Sequence, residues 1–138
     1  MPIINEHFII HTRGNNDIID ITKQVQNCVY QHELKNALVC VSIQGSTSAV
    51  TTIEFEQGLV QDLKDALERI APSGANYHHD EIWHDGNGYA HIRSALVGSS
   101  VNIALVDGLL NLGTWQQVIL IDFDNKERSR NVTVQIAY

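Results

Sequence analysis

The stretch Trp115-Gln116-Gln117-Val118-Ile119-Leu120-Ile121-Asp122-Phe123, followed after a polar turn by Asn131-Val132-Thr133-Val134-Gln135-Ile136-Ala137, decides the fold class. The first segment reads as a long apolar strand, rich in β-branched residues. The second alternates, placing Val132, Val134 and Ile136 on one face, the period of a strand with one side buried. Asp124 to Arg130 between them is polar and reads as a turn, which sets the two strands in hairpin order.

The same signals recur upstream. Val101 to Val106 reads as a strand, Asp107-Gly108 as a tight hairpin turn, and Leu109 to Leu112 as the returning strand, ended by Gly113-Thr114. Ala37 to Gln44 is a strand dense enough in apolar residues for a central position, and Ala49 to Phe55 resumes the pattern after Gly45-Ser46-Thr47-Ser48. Ile3 to Thr12 is a first strand, Arg13 to Asp17 a turn, and Ile18 to Ile21 a short run suited to pair back on that strand. Helical spacing appears three times. Thr22 stands at an N-cap position before Lys23 to about Lys35, where Val25, Cys28, Val29 and His32 share a face. Gly58 to Ile70 aligns Leu59, Leu63, Ala66, Leu67 and Ile70 until Pro72 stops it. Ala90 to Val97 ends where Gly98 can take a left-handed conformation. Together these predict an α+β fold, a largely antiparallel β-sheet with two or three helices, in a single domain spanning residues 1–138.

Composition narrows the function. With 138 residues, 43% apolar and 18% charged, the chain is long enough for one real core. A formal net charge of -7 argues against nucleic acid or an anionic membrane as the main partner, since both call for clustered Lys and Arg. No apolar run approaches the length of a membrane span, and the N-terminus lacks a basic, apolar leader pattern. Cys28 and Cys40 are isolated and make no disulfide framework, so a reducing, cytoplasmic setting is expected.

The chemistry concentrates between Tyr77 and Arg93, which holds four of the seven histidines with Asp80, Glu81, Asp85 and Asn87. His79, His84 and His91 are spaced H-x4-H-x6-H, and imidazole with carboxylate is the donor set of zinc and similar ions. The spacing matches no established metal motif. A metal-free site in which one histidine moves protons, or a solvated polar loop, fits the same residues. His78 points away from His79 if the segment is extended. Glu54 ends a strand, and Asp62 lies on the polar face of its helix. Gly45-Ser46-Thr47-Ser48 and Gly98-Ser99-Ser100 offer amides and hydroxyls of the kind that cradle phosphate or carboxylate, although ordinary turns have the same composition. Arg93, Arg128 and Arg130 are the cations available to such an anion.

Several segments, taken in order, resemble the YjbQ family: Gly45-Ser46-Thr47, Tyr77-x-His79, Asn87-Gly88-Tyr89-Ala90-His91-Ile92-Arg93, Gly98-Ser99-Ser100, Leu112-Gly113-Thr114-Trp115-Gln116, and Asp122-Phe123-Asp124 with Arg128 and Arg130. The resemblance implies a small α+β protein that forms homotrimers and has a weak thiamine-phosphate synthase activity, joining a pyrimidine methyl diphosphate to a thiazole phosphate with release of diphosphate. It places His79, Asn87, His91 and Glu54 in a catalytic role and Ser46, Thr47, Arg93, Ser99, Thr114 and Gln116 on the phosphorylated substrate. A divalent ion, zinc or magnesium, on His79 and His91 is compatible with it. The alternative is a protein that binds a metal or a phosphorylated ligand, or a hydrolase of another metabolite. Two positions depart from the family pattern. Gly45 stands where many relatives have a histidine, and His84 where they often have glycine, which weakens a three-histidine metal site.

Overall fold

The computed structural model covers Met1–Tyr138 and resolves the strand signals into two antiparallel sheets. Strands β1 (Ile3–Thr12), β3 (Ala37–Ile43), β5 (Ser100–Val106), β6 (Leu109–Leu110) and β8 (Arg128–Ala137) form a five-stranded sheet in the order β1-β8-β3-β5-β6. Strands β2 (Asp17–Asp20), β4 (Ser48–Glu54) and β7 (Gln116–Asp122) form a three-stranded sheet in the order β2-β7-β4. The α+β class and antiparallel pairing expected from the sequence are therefore present. There are four helices where two or three were expected: α1 (Thr22–Tyr30), α2 (Gln57–Ile70), α3 (His78–Trp83) and α4 (Gly88–Val97).

Packing follows the residue pattern. The alternating strands β3 and β8 turn Val39, Val41, Ile43, Val132, Val134 and Ile136 inward, against Val50, Val118 and Leu120 of the smaller sheet. Val25 and Val29 of α1 complete that core. The opposite face of the smaller sheet presents Ala49, Ile119, Ile121 and Phe123 to Leu67 of α2 and to Tyr89 and Ala90 of α4. Strand β7 is thus covered on both faces, which is why Val118 to Phe123 is a continuous buried run rather than an alternating one. The outward face of the five-stranded sheet has no helix over it. No helix is long and apolar enough to cross a membrane.

Two expected pairings are corrected. The run at Ile18–Ile21 does not fold back on β1; β2 pairs with β7, and β1 pairs along its length with β8. Strands β7 and β8 are not a hairpin either, because they belong to different sheets. In both cases the intervening residues carry the chain from one sheet to the other. At Gly14 (φ 77) the backbone passes so close to Asp124 that a Cβ would stand 2.6 Å from its carbonyl oxygen, and the amide of Asn15 donates to that same carbonyl. The link between β3 and β4, residues 44–47, crosses between the sheets at the same corner, where Phe123 N–H donates to the Thr47 carbonyl at 2.9 Å.

The helices also differ in detail. Thr22 is not the N-cap of α1: its hydroxyl donates to Asp20 and accepts from Val118 N–H, stitching the helix start to β7. The helix ends at Tyr30, short of Lys35, and Glu33 beyond it takes a positive φ. Helix α2 is capped by Glu56, whose carboxylate accepts from the amides of Gly58 and Leu59. Of its apolar stripe only Leu67 is fully buried, and Ile70 is 63% exposed. Helix α3 lies where the sequence reads as loop. It is a six-residue turn of helix with no buried residue and closes at His84 with φ 58.

Candidate functional site

Three chain crossings between the sheets meet at one corner, and α3 and α4 are laid against it. Asp122, at the end of β7, is fully buried and is gripped by Arg130 of β8 through Nε to Oδ2 at 2.7 Å and Nη2 to Oδ1 at 2.9 Å. The same carboxylate accepts from the Thr12 hydroxyl on β1 at 2.5 Å and from Asp124 N–H at 3.0 Å. Arg130 Nη2 also donates to the Thr47 hydroxyl at 2.8 Å. Strands β1, β7 and β8 and the loop before β4 are therefore fastened to a single ion pair.

Asp124 is the second buried acid of the corner. It accepts from Thr47, Asn87, Arg128 and the amide of Asn125. Burial pushes its carboxyl up, but these four donors outweigh burial and hold its pKa below the usual carboxylate value. An anionic Asp124 fixes the amide of Asn87, because only the NH2 end can face a carboxylate, at 3.3 Å. Asn87 Oδ1 then faces His79 Nε2 at 3.1 Å, and Asp85 Oδ1 lies 3.3 Å from the same nitrogen. Both neighbours are acceptors, so Nε2 carries the proton and Nδ1 is the free base of the neutral ring. The His79 ring packs on His91, with centroids 4.4 Å apart and planes tilted by 51°. His91 sits on the first turns of α4, one helical turn after Asn87.

These groups line a cleft of about 420 Å3 together with Trp83, Gly45, Ser46 and Thr47. The amides of Gly45, Ser46 and Thr47 donate to no backbone carbonyl. Arg130 is only 7% exposed, and its Nη1 makes none of the bonds that hold Nε and Nη2. A Cβ on Gly45 (φ 146) would come within 2.8 Å of that nitrogen, so the glycine leaves Nη1 open to the cleft. Free amides beside an unspent guanidinium edge are a cradle for an anion.

The structure separates the residues that the sequence analysis assembled. His79, Asn87, His91, Ser46 and Thr47 lie on this cleft, and Ser99 lines an adjoining hollow. Arg93 does not face it. It is 1% exposed and donates to the Ala71 carbonyl, Asn16 and Glu68, with Tyr89 beneath its guanidinium at 4.9 Å. It ties α4 to the end of α2, and its place on the substrate is corrected to a structural one. Glu54 and Gln116 are paired at the far end of the β4–β7 ladder, six residues from Ser48 and Asp122, or about 20 Å. Gln116 there accepts from Gly113 N–H and donates to Thr52, and Thr114 is exposed beside it. Within one chain, Glu54, Thr114 and Gln116 are outside the cleft. His78 is separated from His79 by helix geometry rather than strand alternation, and its side chain is fully exposed beside Glu81.

Asp124 and Trp83 were not singled out for the site from sequence, whereas Arg130 was read there as a cation available to an anion and Asp85 as one of the carboxylates among the histidines. Asp122, Asp124, Arg128 and Arg130 do form a charged cluster in sequence between two apolar strands, a pattern that a plain turn does not need. For a metal, the groups whose ligand atoms lie within 4.8 Å of one another are His79, Asp80 and Asp85, and His91 is not among them. One imidazole and two carboxylates suit a divalent ion chemically. Asp80 Oδ1 is engaged by Gly88 N–H, and His79 Nε2 by its two acceptors.

This fold coincides with that of a known family. The model of that family, described as UPF0047 protein YjbQ-like, matches residues 6–138. The chain belongs to the YjbQ (UPF0047) family. It is similar to a UPF0047 protein of Archaeoglobus fulgidus, 40% identical over 119 residues that cover 86% of this chain and 90% of the relative. A UPF0047 protein of Methanothermobacter thermautotrophicus is 31% identical over 137 residues, 99% of this chain and 94% of the relative. Among solved structures, a YbjQ-like protein of unknown function from Sulfolobus solfataricus superposes with a TM-score of 0.92 at 27% identity, covering 98% of this chain and 96% of that one.

The hydrogen-bond logic makes a direct prediction. Nitrogen-15 NMR of the histidine rings is expected to show neutral His79 as the Nε2–H tautomer, assigned by loss of its signals in His79→Gln. Asn87→Leu, which removes one acceptor, is expected to shift that equilibrium towards Nδ1–H. An Nδ1–H tautomer in the unaltered protein would contradict the arrangement.

Proposed function

We propose that the cleft is the site of a small-molecule enzyme acting on a phosphorylated substrate, with the phosphoryl group held by the Gly45–Thr47 amides and Arg130 Nη1. The observation that carries this reading is the unspent, nine-tenths buried edge of Arg130, aimed at the cleft beside three free amides. In the same cleft His79 offers a base of fixed tautomer, and His91 is a second imidazole available for proton transfer. The specific reaction implied by the family resemblance is of thiamine-phosphate synthase type. In it a thiazole nitrogen attacks the methylene carbon of a pyrimidine methyl diphosphate, the carbon–oxygen bond breaks, and diphosphate leaves with the electron pair. The anion cradle suits a phosphate or the leaving diphosphate. The free thiols Cys28 and Cys40 accord with a cytoplasmic setting.

Calorimetry with inorganic phosphate is expected to show one binding site, weakened at least about tenfold in Gly45→Ala, whose methyl group would occupy the space before Nη1. With the two thiamine precursors supplied, diphosphate release is expected to fall by about 10²-fold or more in His91→Ala, whose circular dichroism is unchanged. Phosphate affinity unaltered in Gly45→Ala would sink the cradle. Unaltered turnover in His91→Ala would sink the assignment of the histidine.

A metal-binding reading is favoured by the His79, Asp80 and Asp85 grouping. Here zinc or magnesium would supply Lewis-acid help to a leaving phosphate. Metal analysis of protein purified without chelator is expected, on this reading, to find about one ion per chain, lost in Asp85→Asn and retained in His91→Ala. Equal metal content in all three proteins would reject that ligand set.

The outward face of the five-stranded sheet bears on partners. Its outward positions include Ile9, Leu38, Cys40, Asn102, Ala104 and Thr133, and none of its outward positions on β1, β3, β5 or β8 is Asp, Glu, Lys or Arg. In a chain with 16 acidic and 9 basic residues, a charge-free sheet face is the composition of an interface core. We read it as the contact between copies in the homotrimer implied by the family resemblance. Sedimentation is expected to give three times the chain mass, and Ala104→Asp to give a monomer. A native monomer at micromolar concentration would contradict this.

A further inference from the structure

The cleft does not end at His91. Adjoining it is a second hollow of about 300 Å3, walled by Ser94, Ala95, Gly98 and Ser99 and sharing Gly45, Ser46 and His91 with the first. The two lobes differ in chemistry. The first contains Arg128, Arg130, Asp85 and Asp124, whereas the second has no charged side chain apart from what His91 can carry.

The surfaces of the second lobe are hydroxyls and bare backbone. Ser46 and Ser99 are exposed on it. The Ser94 hydroxyl is turned away, donating to the Ser48 carbonyl at 2.6 Å. Ser48 Oγ is buried without any hydrogen-bond partner and lies 3.4 Å from where a Cβ on Gly45 would stand. At Gly98 (φ 99) an added Cβ would meet nothing within 4 Å, so the wall there is open space. Trp83, the one indole on the cleft, belongs to the charged lobe, and Ala95 is the only apolar residue of the second.

We infer that this second lobe is the subsite for the uncharged, hydroxyl-bearing part of a ligand whose phosphoryl group occupies the first, so that the site also takes a polyol phosphate or sugar phosphate, a substrate class apart from the aromatic thiamine precursors, with His91 where the two parts join. This rests on the reading of the first lobe as an anion site. A serine hydroxyl both donates and accepts, which matches ligand hydroxyls of either orientation. A flat aromatic group would gain nothing from a wall of serines and glycines, and it would leave their polar groups unpaired. A second anion would find no cation there.

The test uses the full chain and three probes, inorganic phosphate, ribose 5-phosphate and phenyl phosphate, measured by calorimetry on the unaltered protein and on Ala95→Leu. Ala95 is exposed on α4 and Leu is a good helix former, so the substitution fills the second lobe without touching the first. Ribose 5-phosphate is expected to bind about tenfold or more tightly than inorganic phosphate. Ala95→Leu is expected to bring ribose 5-phosphate back to the level of inorganic phosphate, whose own affinity stays the same. Should Ala95→Leu unfold, Ser99→Ala removes one hydroxyl and is expected to weaken ribose 5-phosphate alone. Ribose 5-phosphate no tighter than phosphate, phenyl phosphate tighter than ribose 5-phosphate, or no effect of filling the lobe would each overturn the inference while leaving the anion site standing. Absence of inorganic phosphate binding would instead overturn the anion site itself, and the inference with it.

Discussion

The buried pair of Arg130 and Asp122 is the constraint on which the rest of this structure depends. Removing two charges from water is costly, and a low-dielectric pair is tolerated only when geometry is good and the remaining donors and acceptors are satisfied. Here the carboxylate accepts two bonds from the guanidinium, one from Thr12 and one from the backbone of Asp124. Each of those partners arrives on a different segment of chain. The pair therefore sets where β1, β7 and β8 pass between the sheets, and through Thr47 it sets the loop before β4. A guanidinium has five N–H donors, and the group facing Gly45 is the part this scheme leaves over. The proposed anion cradle would thus be a by-product of the same interaction that closes the fold.

The histidines are positioned by extension of that corner. Asp124 is kept ionised by its four donors, orients Asn87, and through it orients His79. Asn87 also begins α4, so the helix start, the relay and His91 one turn later share one anchor. Arg93 serves the opposite side of the same helix. Its bonds to the Ala71 carbonyl and Glu68 hold α4 against α2, and Glu68 is drawn below the usual carboxylate range by Ser73 N–H and by Arg93. Site geometry and helix packing are in this way separate duties of residues six positions apart.

Periodicity made the strands and three of the helices legible in the sequence, because a face buried on one side leaves a repeat in the residues. Pairing leaves no such repeat. The run at Ile18–Ile21 looks the same whether it joins β1 or β7, and only the positive-φ turn at Gly14, Asn15 and Asn16 sends it to the second sheet. Helix α3 was illegible for a different reason, since six residues with no buried side chain carry no amphipathic signal. The site was half legible. His79, Asn87 and His91 stand out as polar residues in one segment, and Ser46 and Thr47 as a small-residue loop. Arg93 and Arg130 are equivalent as letters, and only burial and partners show that one braces a helix while the other presents an open edge. Glu54, Thr114 and Gln116 do gather together, but at the other end of the smaller sheet.

The central claim is that Gly45, Ser46, Thr47 and Arg130 form a preorganised anion site facing His79 and His91. The most direct measurement is an amide and arginine side-chain NMR titration with inorganic phosphate. The account predicts saturable shifts centred on the amides of Gly45, Ser46 and Thr47 and on the Arg130 guanidinium, with His91 responding at the edge. Shifts confined to other surfaces, or none at Gly45 to Thr47 up to phosphate saturation elsewhere, would contradict it.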